Sequence, residues 1–388
     1  MKKLFSLIIA ISFVFILNSA SYAQLNVQVV VSSDYSFYDQ WYRTVSESVP
    51  LVNKSEIVYH DQPLFVYVFF SGYGVDSLDM ADVNYNLRIF KPDSSLLEEH
   101  LKVLGYKGKI VNPNNLILSI ANLRFNFEVT EPIGNYQVEA ELVDNVLNDK
   151  VTVSTIVNLS ELSLGSSINN DSLLGKWLET YYQTPIPELA VDAFIYFTKS
   201  GLREKAEEPV FAFFRVLFGQ NLYLVPHLIS KYDFQDETTQ NDILMLLAFL
   251  NVDISEFINQ LPQNKLYAYQ QLKENSNLFD YSVLEHPTQL DMIWSEFFAS
   301  GRYGAIRRLV DALSLSQYKG AIDLYNNSGK DESLEKNALL EASYRSVVWS
   351  LGANSKTHKL IKDYLTYILK NEPLEDNIRK ELESIIIN

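Results

Sequence analysis

The period of the hydrophobic pattern changes once along this chain of 388 residues, near residue 160. Before that point apolar and polar residues alternate, as in VNYNLRI at 83–89, and this two-residue period is typical of β-strands. The apolar run PLFVYVFF at 63–70 has the length of a strand and follows a polar turn. We therefore predict an antiparallel β-sandwich of six or seven short strands over residues 24–160, with no helix among them.

The pattern is irregular near residue 120. Apolar residues occupy even positions at 116–120 and odd positions at 123–129, so the face of the sheet that they line changes between the two segments. Such a change indicates a β-bulge or a strand that passes from one sheet to the other. The last strand, with Val151, Val153 and Val157, is predicted to pair with residues 134–143.

The turn PIGNY at 132–136 opens the second-to-last predicted strand. In immunoglobulin-like sandwiches a tyrosine at this place lies two residues before a cysteine, and its hydroxyl donates a hydrogen bond to the backbone of the corner. Gly134-Asn135-Tyr136 resembles that corner, with Val138 at the cysteine position and therefore no disulfide. The resemblance implies an immunoglobulin-like sandwich. The alternative is an ordinary hairpin with Tyr136 on the surface.

The chain after residue 172 has the period of helices. Residues 161–172, ELSLGSSINNDS, are rich in serine and asparagine and are predicted to form a linker. The helical region, 173–388, contains one clear apolar stripe at helical spacing, made by Leu290, Ile293, Trp294, Phe297 and Phe298. Gly301 ends this helix, so we predict a helical hairpin over 288–315 with Trp294 in its core.

Several other segments place a helix rich in Phe or Leu before a Gly or Asn turn. The segments at 209–218 and 243–250 are apolar nearly all round, which is typical of helices covered on both sides. We predict an all-α stack of helical hairpins, solenoid-like in its arrangement. Because the spacing follows no strict repeat, a globular helical bundle is the alternative.

The first 23 residues have the pattern of a secretory signal peptide. Lys2 and Lys3 precede an apolar run of 14 residues, LFSLIIAISFVFIL, and small residues then lead to Ala23. This run is shorter than the roughly 20 residues that span a bilayer, so we expect cleavage after Ala23 and a periplasmic or secreted protein; an uncleaved anchor is the alternative. The chain has no cysteine, which excludes a thioether lipid anchor and disulfides.

Charge narrows the choice of partner. The formal net charge is −16, and loss of Lys2 and Lys3 with the leader takes it to −18. A protein this acidic is expected to bind no nucleic acid. A protein or another component of the cell envelope is the expected partner.

The order of these parts resembles that of uncharacterised exported bacterial proteins with an immunoglobulin-like N-terminal sandwich and a helical C-terminal region. The segments MIWSEFFASGRYGAIRRLVDAL and SYRSVVWSLGANSKTHKLI, together with the leader and the PIGNY turn, carry the resemblance. It implies an architecture and no activity.

The chain lacks the common catalytic and cofactor motifs. The nucleophile elbow, the Walker loop, the dinucleotide fingerprint and the zinc-protease and EF-hand spacings are all absent. Ser71 in FFSGYG is predicted to close a strand. The five histidines, His60, His100, His227, His286 and His358, are far apart. The sequence therefore assigns no catalytic, cofactor-binding or metal-binding residue.

Four small groups of residues are weaker candidates for a site or a structural contact. His60-Asp61 could supply a ligand or a base, although a polar turn is favoured. The carboxylates Asp76, Asp79 and Asp82 could hold a calcium ion, although a solvated loop is favoured. The remaining two are the arginines Arg302, Arg307 and Arg308, as an anion contact or as partners of nearby acids, and Arg345 with Trp349, as a cation–π pair.

Function then depends on architecture. We expect an exported, non-catalytic binding or scaffold protein of the bacterial cell envelope. The alternative is an extracytoplasmic enzyme of the hydrolase class, whose site is assembled from distant Asp, Glu and Tyr residues that spacing cannot reveal.

Overall fold

The chain has a β-rich N-terminal region with two sheets, followed by a helical C-terminal region. A computed structural model describes residues 24–387 except 46–49, 51, 111, 113, 166–167, 251, 275–283, 285 and 329–330. The predicted signal peptide lies outside the described residues. The strands are β1 (Asn26–Ser32), β2 (Ile57–Val58), β3 (Leu64–Ser71), β4 (Met80–Phe90), β5 (Leu96–Lys109), β6 (Ile117–Leu118), β7 (Leu123–Phe125), β8 (Gly134–Asp144) and β9 (Asp149–Leu159).

The two sheets enclose the core of the β-rich region. In the first sheet β3 pairs with β1, β6 and β7, and the second sheet has the order β2-β9-β8-β4-β5. The alternation at 83–89 is confirmed, because the four apolar residues of that segment are buried and their neighbours on β4 are partly exposed. The predicted pairing of β8 with β9 is also confirmed, from Gly134 opposite Leu159 to Asp144 opposite Asp149.

The irregularity near residue 120 is a bulge within one sheet. Both β6 and β7 pair with β3, and residues 119–122 lie opposite only residues 67–68. The alternative of a strand that changes sheets is therefore wrong. The extra residues reach the edge of the second sheet, where the Ile120 amide donates to the Gly105 carbonyl at 2.8 Å.

The prediction that this region has no helix is wrong. Helix α1 (Phe37–Tyr42) follows β1 and lies on the outer face of the first sheet. Its Phe37 ring is buried 4.8 Å from the ring of Tyr67 and 5.8 Å from that of Phe69. Strand β3 is thus buried on both faces, which explains why its sequence is apolar throughout rather than alternating.

Tyr136 is buried near the start of β8. It is 0% exposed, its hydroxyl donates to the Pro132 carbonyl at 2.8 Å, and its ring lies 4.3 Å from that of Phe127. The hydrogen bond expected from the PIGNY turn is therefore confirmed, and the alternative of a surface tyrosine is wrong.

Replacing Tyr136 by phenylalanine should lower the free energy of unfolding by about 1 kcal/mol, because the ring still packs but the buried hydrogen bond is lost. Urea denaturation measures the change. Tyr267→Phe, at a side chain that is 63% exposed, is the matched control. Equal unfolding midpoints for Tyr136→Phe and the unmodified protein would contradict a stabilising role for this hydroxyl.

The helical region contains thirteen α-helices among the described residues. They are α2 (Asp171–Thr180), α3 (Ala190–Lys199), α4 (Gly201–Gln220), α5 (Val225–Lys231), α6 (Glu237–Leu250), α7 (Ser255–Ile258), α8 (Gln263–Glu274), α9 (Pro287–Ser300), α10 (Tyr303–Asp311), α11 (Ala321–Ser328), α12 (Glu332–Thr357), α13 (Lys359–Asn371) and α14 (Asp376–Ile387). Helices α4 and α6 carry the apolar segments at 209–218 and 243–250, and both contribute to one buried core.

The predicted hairpin consists of α9 and α10. Gly301 ends α9 in the left-handed conformation, with φ of 64°, which glycine adopts without strain. Trp294 is 6% exposed, and its indole nitrogen donates to Ser350 Oγ of α12 at 3.0 Å. The prediction that Trp294 belongs to the core is confirmed.

The segment predicted as a linker packs against the helices that follow it. Leu162, Leu164 and Ile168 contact the core that contains α4 and α6, and the Gly165 amide donates to the Glu188 carbonyl at 3.1 Å. Helix α2 already begins at Asp171. The side chain of Asn170 caps α2 by accepting from the Leu173 amide at 2.9 Å, because an asparagine at this position satisfies a free helical donor.

Candidate functional site at the junction

Buried polar side chains concentrate where the β-rich and helical regions meet. We call this place the junction. It is formed by Asp34, Tyr35, Ser36, Asp39, Arg43 and Tyr59 from the first region, and by Tyr181, Tyr182, Glu188, Gln220, Tyr223, Tyr303 and Glu372 from the second.

Asp34 organises the connection between β1 and α1. It is 5% exposed. Its Oδ1 accepts from the amide and from the hydroxyl of Ser36, each at 2.8 Å, and its Oδ2 accepts from the side chain of Asn53 at 3.2 Å. Burial raises the pKa of this carboxyl, against the opposing effect of these donors. All the donors belong to the β-rich region, so Asp34 fixes the shape that this region presents to the helices.

Helix α1 contacts the turn between α9 and α10. The Tyr303 amide donates to Asp39 Oδ2 at 3.4 Å. The Arg43 guanidinium lies 3.6 Å from Glu372 and 5.1 Å from the centre of the Tyr303 ring. A side chain at Gly301 would begin 2.9 Å from Ser36 Oγ, so only glycine permits the two regions to approach this closely.

A second buried carboxyl, Glu188, lies in the same interface. The Tyr59 hydroxyl donates to it, and the Tyr59 ring stacks on Tyr223 at 6.2 Å. Burial raises the pKa of Glu188. Burial also raises the pKa of Tyr59 to about 12, with a further contribution from the nearby Glu188 carboxylate. Both groups are therefore held closer to their neutral forms.

Glu188→Gln should reduce the pH dependence of stability. Because the pKa of Glu188 is raised in the folded state, the stability linked to its protonation is complete below the unfolded pKa, roughly 4.3. It is lost as the pH rises through the folded pKa. Denaturation at a series of pH values should show that the variant loses less free energy of unfolding between about pH 4 and neutrality than the unmodified protein does. The difference is that expected from a single titrating group.

The exposed Glu161 offers the matched control, Glu161→Gln. If Glu188→Gln and Glu161→Gln gave the same pH profile as the unmodified chain, Glu188 would be unaffected by its surroundings.

The enclosed part of the junction is too small for a substrate. A cavity of about 20 Å³ is lined by residues that include Asp34, Tyr181, Asn221 and Ser300. This volume is close to that required for one water molecule. This cavity therefore gives a reacting molecule no room beside the buried acids and tyrosines of the junction.

A buried histidine, His358, lies at one side of the junction. Its Nδ1 is 2.9 Å from the Tyr182 hydroxyl, and its ring is 5.3 Å from that of Phe298. Burial lowers the pKa of His358, although the Glu179 carboxylate 3.6 Å away opposes this effect. The imidazole is therefore mainly neutral near pH 7.

The three aspartates considered for calcium do not form a site. Asp76 Oδ1 accepts from the amides of Leu78 and Met80 at 2.8 and 2.9 Å, whereas Asp82 on β4 accepts from Lys107 at 2.6 Å. Throughout the part of the chain that the structure describes, no group of three or more His, Asp or Glu side chains is arranged to hold a metal ion.

His60 and Asp61 form the polar turn before β3. The His60 ring nitrogen lies 2.9 Å from the Glu131 carbonyl, and Asp61 has a left-handed backbone, with φ of 59°. Ser71 is the last residue of β3, as predicted.

The arginines behave mainly as partners of acids. Arg307 contacts Glu372 at 2.7 Å and also Asp311, and Arg308 contacts Glu296 at 3.1 Å. Their predicted pairing with nearby carboxylates is therefore confirmed.

Two other basic residues differ in their contacts. Arg302 lies over the ring of Tyr35 at 5.6 Å. Arg345 contacts the buried carboxylate of Glu341 at 2.6 Å, while Trp349 is 74% exposed. The ion pair with Glu341 therefore takes the place of the suggested cation–π pair.

Sequence reasoning did not identify Asp34, Tyr59 or Glu188. They come from segments as far apart as residues 34 and 188, and each occurs in an ordinary polar context. A local signal existed only at Asp34, where Asp-x-Ser is a common turn pattern. That pattern does not reveal whether the turn is buried.

Comparison with known proteins identifies no family. No family model matches the chain, and no curated protein matches it. Among solved structures, a family 123 glycoside hydrolase from Clostridium perfringens is 9% identical over 39% of this chain and 32% of that chain, with a TM-score of 0.23. A Niemann-Pick type C2 protein from the Japanese carpenter ant is 14% identical over 38% of this chain and 100% of that chain, with a TM-score of 0.22. Likenesses of this degree carry no argument about fold or function.

Proposed function

We propose that residues 24–160 form an immunoglobulin-like sandwich. In such folds strands A, B and E share one sheet, and strands C, F and G share the other. The order found here corresponds if β1, β3 and β6–β7 are A, B and E, and if β4, β8 and β9 are C, F and G. The buried Tyr136 near the start of β8, the equivalent of strand F, supports the same assignment.

We further propose that the chain is an exported, non-catalytic binding or scaffold protein of the bacterial cell envelope. The observation that carries this proposal is the closed junction, where buried carboxyls are engaged by donors of the chain itself around a cavity of about 20 Å³. A partner would then bind the outer surfaces of the two regions, which the junction holds in fixed relative positions. The resemblance of the first 23 residues to a signal peptide supports export.

Among the helices of the described residues, none combines the length and apolar character needed to cross a membrane. Removal of the leader is the first test of export.

The experiment compares the full chain with a variant that lacks residues 2–23, both expressed in a bacterium with a C-terminal tag. We expect the full chain to yield a mature protein that begins at Gln24 in the extracytoplasmic fraction, and the variant to stay in the cytoplasm. N-terminal sequencing of each fraction gives the answer. A full chain that kept Met1 and stayed in the cytoplasm would overturn export.

Catalysis is tested separately on the purified mature protein. We expect no turnover of chromogenic ester, glycoside, phosphate or peptide substrates, and specific crosslinking to an envelope component in intact cells. Turnover that is lost in Glu188→Gln at an unchanged thermal midpoint would instead support the hydrolase alternative.

A further inference from the structure

A second cavity opens beside the junction, between the β-rich region and the end of α4. Its volume is about 160 Å³. The walls from the β-rich region include Tyr35, Asp61, Arg124 and Asn126, and the helical region contributes Gln220 and Leu222. The cavity is therefore far larger than the enclosed one and combines both charges with amides and an apolar wall.

One positive and one negative side chain, Arg124 and Asp61, line this cavity. Arg124 and Asp61 form no ion pair within 4.0 Å. The Arg124 guanidinium contacts the Tyr35 hydroxyl at 3.4 Å, and Asp61 Oδ1 accepts from the Asn126 side chain at 3.4 Å. Within the described residues neither charge has a partner of opposite sign at contact distance, whereas Arg88 and Arg203 each contact carboxylates.

Gln220, the last residue of α4, also lines the cavity. Its side-chain nitrogen is buried and has no acceptor among the described residues, although the Tyr35 hydroxyl donates to the Gln220 carbonyl at 3.0 Å. Because solvent does not reach this nitrogen, it lies behind the cavity wall, and the bond from Tyr35 joins the two regions at this place.

We propose that this cavity binds a small zwitterion of the amino-acid class. Arg124 would hold the carboxylate, since a guanidinium matches the two carboxylate oxygens. Asp61 would hold the ammonium. The cavity offers about 160 Å³, against about 20 Å³ for the enclosed one, which is room for several water-sized groups and suits a small amino acid such as glycine or alanine.

The charged side chains are carried by well-fixed backbone. Arg124 is on β7, opposite Phe65 of β3. The Asp61 amide donates to the Phe127 carbonyl at 2.8 Å, which fixes the turn in its left-handed conformation. The backbone of both residues is therefore fixed before a ligand binds. The inference concerns a small-molecule site and does not depend on export or on an envelope partner.

Isothermal titration calorimetry of the purified chain with glycine and with L-alanine tests the proposal. We expect saturable binding of at least one of them, weakened about tenfold or more by Arg124→Met and by Asp61→Asn. Lys150→Met removes one positive charge from an exposed side chain of β9 and is the control, which should bind as the unmodified protein does. Thermal unfolding of each variant verifies that it is folded.

Partial ligands distinguish the rival explanations. Acetate and methylammonium, each carrying one of the two charges, should bind more weakly than the amino acid. Binding of inorganic phosphate that is as tight as that of the amino acid, lost in Arg124→Met but kept in Asp61→Asn, would show a simple anion site and overturn the proposal. Absence of amino-acid binding at millimolar concentration, or equal binding by all the variants, would also overturn it.

Discussion

Truncation of Trp294 to alanine should lower the free energy of unfolding by about 3–5 kcal/mol, the range found for large aromatic side chains in a core. The indole lies against Phe298, with ring centres 5.9 Å apart, and donates to Ser350 on α12. The substitution therefore removes contacts within α9 and a link to a second helix. Differential scanning calorimetry should show a large fall in the thermal midpoint of the helical region.

Arg308→Ala is the control from the same hairpin. Arg308 is partly exposed and contacts Glu296, and partly exposed ion pairs contribute little to stability, so its midpoint should barely move. A Trp294→Ala protein with a normal midpoint that had lost a partner or substrate would make the stripe a functional surface rather than core.

Asp34→Ala should destabilise the chain by about 2–3 kcal/mol, because it leaves the amide and the hydroxyl of Ser36 and the side chain of Asn53 without their acceptor in a buried place. The loss should also loosen the contact of α1 with the hairpin. Urea denaturation measures the stability, and hydrogen exchange of the amides of residues 34–43 measures the loosening.

Asp93 and Ser95 form the same kind of turn at the exposed surface of the protein. Asp93 Oδ1 accepts from the amide and the hydroxyl of Ser95 at 2.9 and 2.6 Å, and these groups are exposed. Asp93→Ala should therefore leave the unfolding midpoint nearly unchanged. Equal effects of the two substitutions would mean that the turn itself, rather than its burial, sets the contribution of Asp34.

The parts of the fold that were predicted correctly are those in which a regular spacing of apolar residues, or a recognisable turn, lies within one short segment of the sequence. The apolar stripe around Trp294 repeats at the helical period, and the PIGNY turn predicted the hydrogen bond of the Tyr136 hydroxyl to the backbone. Strand β5 was not predicted, because LLEEHLKVLGYKGK does not alternate regularly. The register shifts between β4 and β5, and the left-handed Lys102, account for this irregularity.

The junction could not be predicted, because its side chains meet only through packing. Helix α1 is six residues long, shorter than the window in which a helical period is detectable. Glu188 and Tyr59 are 129 residues apart in the sequence, and their raised pKa values result from burial, which no local pattern encodes. The sequence also could not single out Arg124 and Asp61 among the charged residues, because only the fold shows that both line one cavity.

The contact between α1 and the α9–α10 turn has a consequence for the order of folding. Asp39 and Tyr303 are 264 residues apart, and the ribosome delivers the N-terminal partner first. Contacts between such distant segments form late, since the intervening chain must first be ordered. The two sheets can close while Asp39 and Arg43 still face water. These side chains gain their partners only when Tyr303 and Glu372 have been synthesised, so a chain that stalls before Tyr303 would leave Asp39 and Arg43 exposed beside two completed sheets.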